Sequence, residues 1–221
     1  MERSQSVRIE VTPHKVVELF VPPEFREQSP AIIFAPGAGK PVDSLFFEKI
    51  CEMLFPRAGV FRFNFPYQVA GRKFPDSAGI LADSWRLVIR HVRTHYPVRR
   101  LYLGGKSMGG RYASMVASEH PDLAGLIFLG YPFHPAGRPE KVRDSHLYEL
   151  RQRMLFIQGG RDALAKPEIV QSVLTRLGER AALLTIPEGD HSFKPPSRSG
   201  LNYEGILRDV ANAVWAWIER A

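Results

Sequence analysis

The chain has 221 residues, 44% apolar and 24% charged, the balance of an ordinary globular protein, and no apolar run approaches the length that spans a bilayer. Cys51 is the only cysteine, which excludes an intrachain disulfide and a multi-cysteine zinc site. Basic residues number 30 against 23 acidic, for a net charge of +7, yet they are scattered, with no Lys/Arg-rich tail, zinc-finger spacing or aromatic-basic RNA-binding signature.

Residues 1–221 are expected to form a single domain. The opening "MERSQSVRIEVTPHK" lacks the apolar core of a secretory signal, so a reducing cytoplasm is the expected home. In chain order, "VRIEV" and "KVVELFVP" read as an opening pair of strands. "AIIFAPG" follows as a short apolar run closed by Gly, the mark of a strand buried on both faces. "SLFFEKICEMLF" then has apolar residues at 45, 46, 50, 53 and 54, a helical spacing. "GVFRFNFP" is the next strand, and "SAGILADSWRLVIRHVRTHY" the next helix, with its apolar stripe at 80, 81, 85, 88, 89 and 92. "RLYLGGK", "LAGLIFLGYP", "MLFIQGG" and "ALLTIPEG" are further buried strands. "GRYASMVASEH", "PEIVQSVLTRLG" and "YEGILRDVANAVWAWIER" supply the remaining helices. Strands alternating with helices predict an α/β fold around a mostly parallel sheet. The stretch 131–146 is the least regular and reads as a loop beyond a strand's C-terminal end, where open α/β sheets form their sites.

The densest signal is "LYLGGKSMGG", where Gly104, Gly105, Gly109 and Gly110 crowd around Ser107. Gly105-Lys106-Ser107-Met108-Gly109 fits G-x-S-x-G and falls between a strand and a helix, where the motif exposes a serine on a sharp turn. Glycines two before and two after it let backbones approach without Cβ clashes. The hydroxyl then stands at a helix N-terminus, whose free N–H groups favour a developing oxyanion.

Such a serine needs a base. His120 closes the helix that starts at the elbow and should point away. His134 and His146 fall in the irregular stretch and could line a pocket. His191, in "PEGDHSF", follows the last strand, where a loop can bring an imidazole onto Ser107. Asp162, in "FIQGGRDALA", comes just after a buried strand and suits the orienting acid. Asp190 is the weaker candidate, because neighbouring side chains diverge. The candidate catalytic set is therefore Ser107, Asp162 and His191. The turn "APGAGK" aims a second donor, so Ala38 and Met108 are the expected oxyanion N–H groups.

On these motifs the chain resembles the α/β-hydrolase superfamily over nearly its whole length. It is similar above all to the small dienelactone-hydrolase-like group. "RFNFPYQVAGRKFPD", "LGYPFHPAGRPEKVRDSHL" and "FIQGGRD" resemble segments of the testis-expressed and NSL-complex-subunit type of hydrolase-like proteins. The resemblance implies a mostly parallel central sheet with helices on both faces and little or no lid, and the same triad and oxyanion positions. It implies no cofactor and no metal. Two departures stand out. Many relatives write His-Gly where this chain has Pro36-Gly37, and true dienelactone hydrolases use cysteine where this chain has Ser107.

Three functions are thereby in competition. The leading one is a serine hydrolase of carboxylic esters or thioesters. The second is a catalytically idle hydrolase-like scaffold that binds a protein partner. The third, a basic nucleic-acid-binding module, lacks a motif of its own. Arg62, Arg72, Lys73, Lys106, Arg111, Arg161 and Lys194 fall in or beside segments expected around the site's mouth, which favours an anionic small-molecule ester. Arg62, Arg72, Lys106 and Tyr131 are the expected substrate-binding residues.

Overall fold

The structure, a computed structural model, describes residues 5–26 and 29–220. Its strands are β1 (Ser6–Thr12), β2 (Lys15–Phe20), β3 (Ala31–Ala35), β4 (Gly59–Asn64), β5 (Leu101–Lys106), β6 (Gly125–Leu129), β7 (Met154–Gly159) and β8 (Ala181–Ile186). Among the described residues they form one sheet in the order β1-β2-β4-β3-β5-β6-β7-β8. The β1–β2 and β2–β4 pairs are antiparallel and the rest are parallel. The central strands β3, β5, β6 and β7 are buried at every residue, as continuous apolar runs require when helices cover both faces. β1 and β8 are edges, and both keep partly exposed residues.

The helices are α1 (Leu45–Leu54), the single-turn α2 (Pro66–Val69), α3 (Ala78–His95), α4 (Met108–Val116), α5 (Pro167–Leu177) and α6 (Tyr203–Glu219). α1 and α6 pack on one face through Phe47, Ile50, Leu54, Leu207, Val210 and Val214. α3, α4 and α5 cover the other. This is the α/β-hydrolase architecture. Two details differ from the sequence pattern. In α1 the buried residues are Phe47, Ile50 and Leu54, while Leu45 is 61% exposed. The helix begins at Leu45 itself, and it is the Phe47 ring that meets Phe34 of β3, with centroids 6.0 Å apart. The second difference is α2, a turn too short to show an apolar period. No helix among the described residues is long and apolar enough to cross a membrane.

The strand order decides where chemistry can occur. From β3 the chain crosses to β4 on one side, and then returns to β5 on the other. Connections that leave adjacent parallel strands in opposite directions open a crevice beyond their C-terminal ends. β3 and β5 are that pair, and their register sets Ala35 opposite Gly105. Two residues further on lie Gly37 and Ser107, side by side at the mouth of the crevice.

Candidate active site

Ser107 joins β5 to α4 with φ 51° and ψ −115°, a left-handed backbone that a non-glycine residue adopts only under constraint. Such a conformation costs of order 1–3 kcal/mol and persists where surrounding contacts over-determine it. The constraint here is backbone against backbone. A Cβ on Gly105 would run into the Ala35 carbonyl oxygen, and one on Gly109 would lie on that oxygen and 2.5 Å from the Pro36 oxygen. The turn after β3 therefore rests directly on the elbow, and a Cβ on Gly37 would be only 3.5 Å from the Ser107 Cβ.

His191 reaches the elbow from the loop after β8. Its Nε2 lies 2.9 Å from Ser107 Oγ, and its Nδ1 lies 2.7 Å from Asp162 Oδ2. Asp162 follows β7 and its side chain is fully buried, whereas His191 is 28% exposed and faces the crevice. Burial of a carboxylate demands donors. Leu164 N–H donates to Oδ1 at 2.8 Å, and Gln158 Nε2 donates to Oδ2 at 3.5 Å. Asp190 takes no part. Its Oδ1 accepts from Ser192 N and Lys194 N at 2.7 and 3.0 Å, closing the turn that presents the histidine. Phe193, with φ 63° and no exposure, anchors the same loop in the core. Tyr203 O–H donates to Ser192 O at 2.9 Å. The residues so aligned can pass the Ser107 proton to His191 and hold the resulting imidazolium against Asp162.

Of the expected oxyanion donors, Met108 opens α4, so its N–H is among those a helix cannot satisfy internally. Ala38 is exposed in the turn resting on the elbow. Gln158 escaped notice in the sequence. It is a buried polar residue in the apolar run "MLFIQGG", and besides Asp162 it accepts from Tyr131 N at 2.5 Å and donates to Tyr131 O at 3.3 Å. A lone amide in a strand otherwise apolar was the available signal.

His134 and His146 do structural work. His134 is buried, and its Nε2 accepts from Lys166 N at 3.2 Å, tying the loop after β6 to the start of α5. His146 Nε2 sits 2.8 Å from Ser114 Oγ, a second serine–histidine contact. Ser114 lies inside α4, is buried, and donates to Arg111 O at 2.7 Å, so it has no access to a substrate. Burial, and then Arg111, push the His146 imidazole down to about 4, which keeps it neutral.

The four expected substrate-binding residues are placed differently from that reading. Tyr131 has no exposed surface, packs among Phe128, Phe133 and Phe156, and donates to Arg143 O at 2.9 Å. Arg62 turns back over the Phe20 ring and contacts Val42 O at 3.5 Å. Arg72 is bound to Asp76 at 2.6 Å, and Lys15 reaches the same carboxylate at 2.5 Å. Arg72 is thus held by a carboxylate four residues on, and Arg62 and Tyr131 by loops at Val42 and Arg143. Lys106 is buried behind the histidine. A Cβ on Gly130 would touch its Nζ at 2.7 Å, His191 O at 3.1 Å and His191 Nδ1 at 3.5 Å, so all three surround one point. That Nζ is buried with no hydrogen-bond partner, and it stands 5.7 Å from the Phe193 ring centroid.

The family profile described as Alpha/beta hydrolase domain matches residues 28–219. Among solved structures, an alpha-beta serine hydrolase homologue from Coxiella burnetii is 18% identical, with a TM-score of 0.74 and 98% of each chain covered. A serine hydrolase without a lid from Xanthomonas campestris is 23% identical at a TM-score of 0.72, with 100% of this chain and 95% of that one covered. A dienelactone hydrolase from Anabaena variabilis is 22% identical at 0.71, with 99% and 97% covered. At these identities the likeness is one of fold.

The Lys106 amine yields a pH test. Burial pulls it from the ordinary 10.5 down to about 8, with Asp162 and Asp190 opposing the shift. Because the unfolded chain keeps this proton up to about 10.5, folding works against it most fully below 8. Lys106→Met keeps the stem and removes the charge, so it should stabilise the fold at pH 7 by roughly 3 kcal/mol. That gain should fade as pH rises from about 8 to 10.5. Urea unfolding of both proteins at pH 7 and pH 10 measures it, and a gain equal at both would show that Nζ is not the cause.

Proposed function

Because the chain belongs to the alpha/beta hydrolase domain family, we propose that it is a serine hydrolase cleaving carboxylic esters or thioesters through an acyl-enzyme. The observation that carries this reading is the unbroken Ser107–His191–Asp162 hydrogen-bonded chain, with separations of 2.9 and 2.7 Å. A serine strained onto a helix N-terminus, beside a histidine held by a buried carboxylate, is the arrangement that activates a hydroxyl.

In this mechanism Ser107 Oγ attacks the acyl carbon while His191 Nε2 takes its proton. Negative charge gathers on the former carbonyl oxygen, where the N–H groups of Met108 and Ala38 receive it. The tetrahedral adduct collapses, the alkoxide or thiolate leaves, and the His191 proton goes to it. Water then repeats the sequence at the acyl-serine, with His191 as base, and releases the acid. Asp162 stays ionised throughout and stabilises the imidazolium. The structural neighbours, a serine hydrolase homologue and a dienelactone hydrolase among them, support this chemistry. Ser107 where dienelactone hydrolases carry cysteine separates this chain from their substrate. The second reading, a scaffold for a protein partner, draws on the segments resembling the testis-expressed and NSL-complex-subunit type.

Covalent labelling by a fluorophosphonate probe discriminates the two readings. Wild-type protein should be labelled and should hydrolyse p-nitrophenyl esters. Ser107→Ala should lose both while keeping its melting temperature, and turnover within about tenfold of wild type would sink the mechanism.

The orienting acid is tested by comparison. Asp162→Asn should cut kcat by roughly 10³- to 10⁴-fold, by favouring the wrong imidazole tautomer. Asp190→Asn should cost far less, because Asp190 only closes its own turn. The reverse ranking would reassign the acid.

Substrate charge follows from cations that stay exposed to solvent. Arg161 and Lys194 are exposed; Arg161 precedes Asp162, and Lys194 follows His191 by three residues with its Nζ 5.7 Å from the Tyr203 ring centroid. Their field should raise kcat/KM for an ester carrying a free carboxylate over a neutral one of equal length. Raising ionic strength from about 20 to about 500 mM should shrink that advantage. Equal values at low salt would remove any role for these charges.

A further inference from the structure

The turn that carries Ala38 reads Pro36-Gly37-Ala38-Gly39-Lys40-Pro41, and its two glycines leave the backbone many conformations. An oxyanion donor on such a turn needs something to hold it. The single-turn helix α2 does so from the end of β4. Tyr67 O–H donates to Ala38 O at 3.0 Å and approaches Gly37 O at 3.4 Å. Gln68 Nε2 donates to Gly37 O and Lys40 O, both at 3.2 Å. The orientation of the Gln68 amide is itself set, because its Oε1 accepts from Phe65 N at 3.2 Å and closes the helix cap. Tyr67 is 1% exposed, so neither its ring nor its hydroxyl is free to swing. Burial, and then the Asp76 carboxylate, push its phenol up to about 12, which keeps it a donor at working pH.

The direction of this grip matters. The described chain has no cis peptide, so the Gly37 carbonyl and the Ala38 N–H point in opposite directions within one rigid plane. Two donors on α2 draw the carbonyl towards the β4 side of β3. The N–H is thereby turned towards the β5 side, where Ser107 lies, since the strand order runs β4-β3-β5.

We propose that Tyr67 and Gln68 are positioning residues that aim the Ala38 N–H at the reacting oxygen, making α2 a brace for the oxyanion site. The inference rests on the serine-hydrolase reading above. Its force lies in the transition state: the oxygen gains charge there, so a misdirected N–H weakens transition-state binding and leaves substrate binding almost untouched. Removing one oxyanion donor typically costs about 10²- to 10³-fold in kcat, which sets the ceiling for loss of the brace.

The experiment compares wild type, Tyr67→Phe, Gln68→Met and the double variant with p-nitrophenyl acetate and with a trifluoromethyl ketone, which forms a charged tetrahedral adduct on the serine. The double variant should lose about 10- to 100-fold in kcat, with KM within about threefold of wild type. Its affinity for the ketone should fall by the same factor as kcat. A loose turn that merely weakened the fold would lower the melting temperature without this parity. A fall in kcat with undiminished ketone affinity, or no fall in either, would overturn the brace while wild-type activity keeps the hydrolase reading. An inert wild-type protein would overturn both. Should the double variant not fold, Tyr67→Phe, which deletes one oxygen atom, carries the same comparison: parallel losses of about three- to tenfold are expected, and unchanged values refute the brace.

Discussion

Three stretches of backbone meet at Gly105, Gly109 and the Ala35–Gly37 turn with no side chain between them. This contact follows from the parallel register that pairs Ala35 with Gly105. It forces Ser107 into its left-handed turn and sets the N-terminus of α4 beside the loop after β3. Close-packed backbone cannot relax the way side chains do, so the strain at Ser107 is held by neighbours that have nowhere to move. A hydroxyl, a helix N-terminus and a second peptide plane thus share one small volume before any other residue is considered.

The remaining polar groups of the site are arranged around that volume at the ends of the buried strands. Asp162 tolerates complete burial because Leu164 N–H, Gln158 and His191 all turn a nitrogen towards its carboxylate. Gln158 also grips both polar groups of the Tyr131 backbone, so the ends of β6 and β7 and the acid belong to one network. Lys106 is the exception. Its ammonium stands beside His191 without an acceptor, a cost to folding placed one residue from Ser107. Sites of this kind commonly violate a packing rule that the rest of the fold obeys.

Around the crevice, charge is used mostly for structure. Asp76 gathers Lys15 and Arg72, fastening the β1–β2 hairpin to the segment after α2. Arg62 supports the loop at Val42, whose N–H is in turn received by Asn64 Oδ1 at 2.8 Å. The excess of basic residues in the sequence therefore overstates the charge presented to solvent, because several are held by internal partners.

The strands, the longer helices and the α/β class were legible in the sequence because each depends on a short-range pattern: an apolar run, a 3.6-residue period, a glycine or proline that ends it. Ser107, Asp162 and His191 were legible for the same reason, each following a recognisable strand at the end where sites form. The α2 turn was not, since four residues carry no period. Nor were the partners of Arg62 and Tyr131, the burial of Lys106, the reach of Lys15 to Asp76, or the grip of Tyr67 and Gln68 on the Ala38 turn. Those contacts join residues remote in the chain, such as Lys15 with Asp76, and only the packing of strand ends against one another decides them. Local pattern determined which elements exist and which side chains stand at the strand ends. The three-dimensional order of the strands determined which of those side chains meet, because a parallel sheet brings together the ends of segments that the sequence keeps far apart.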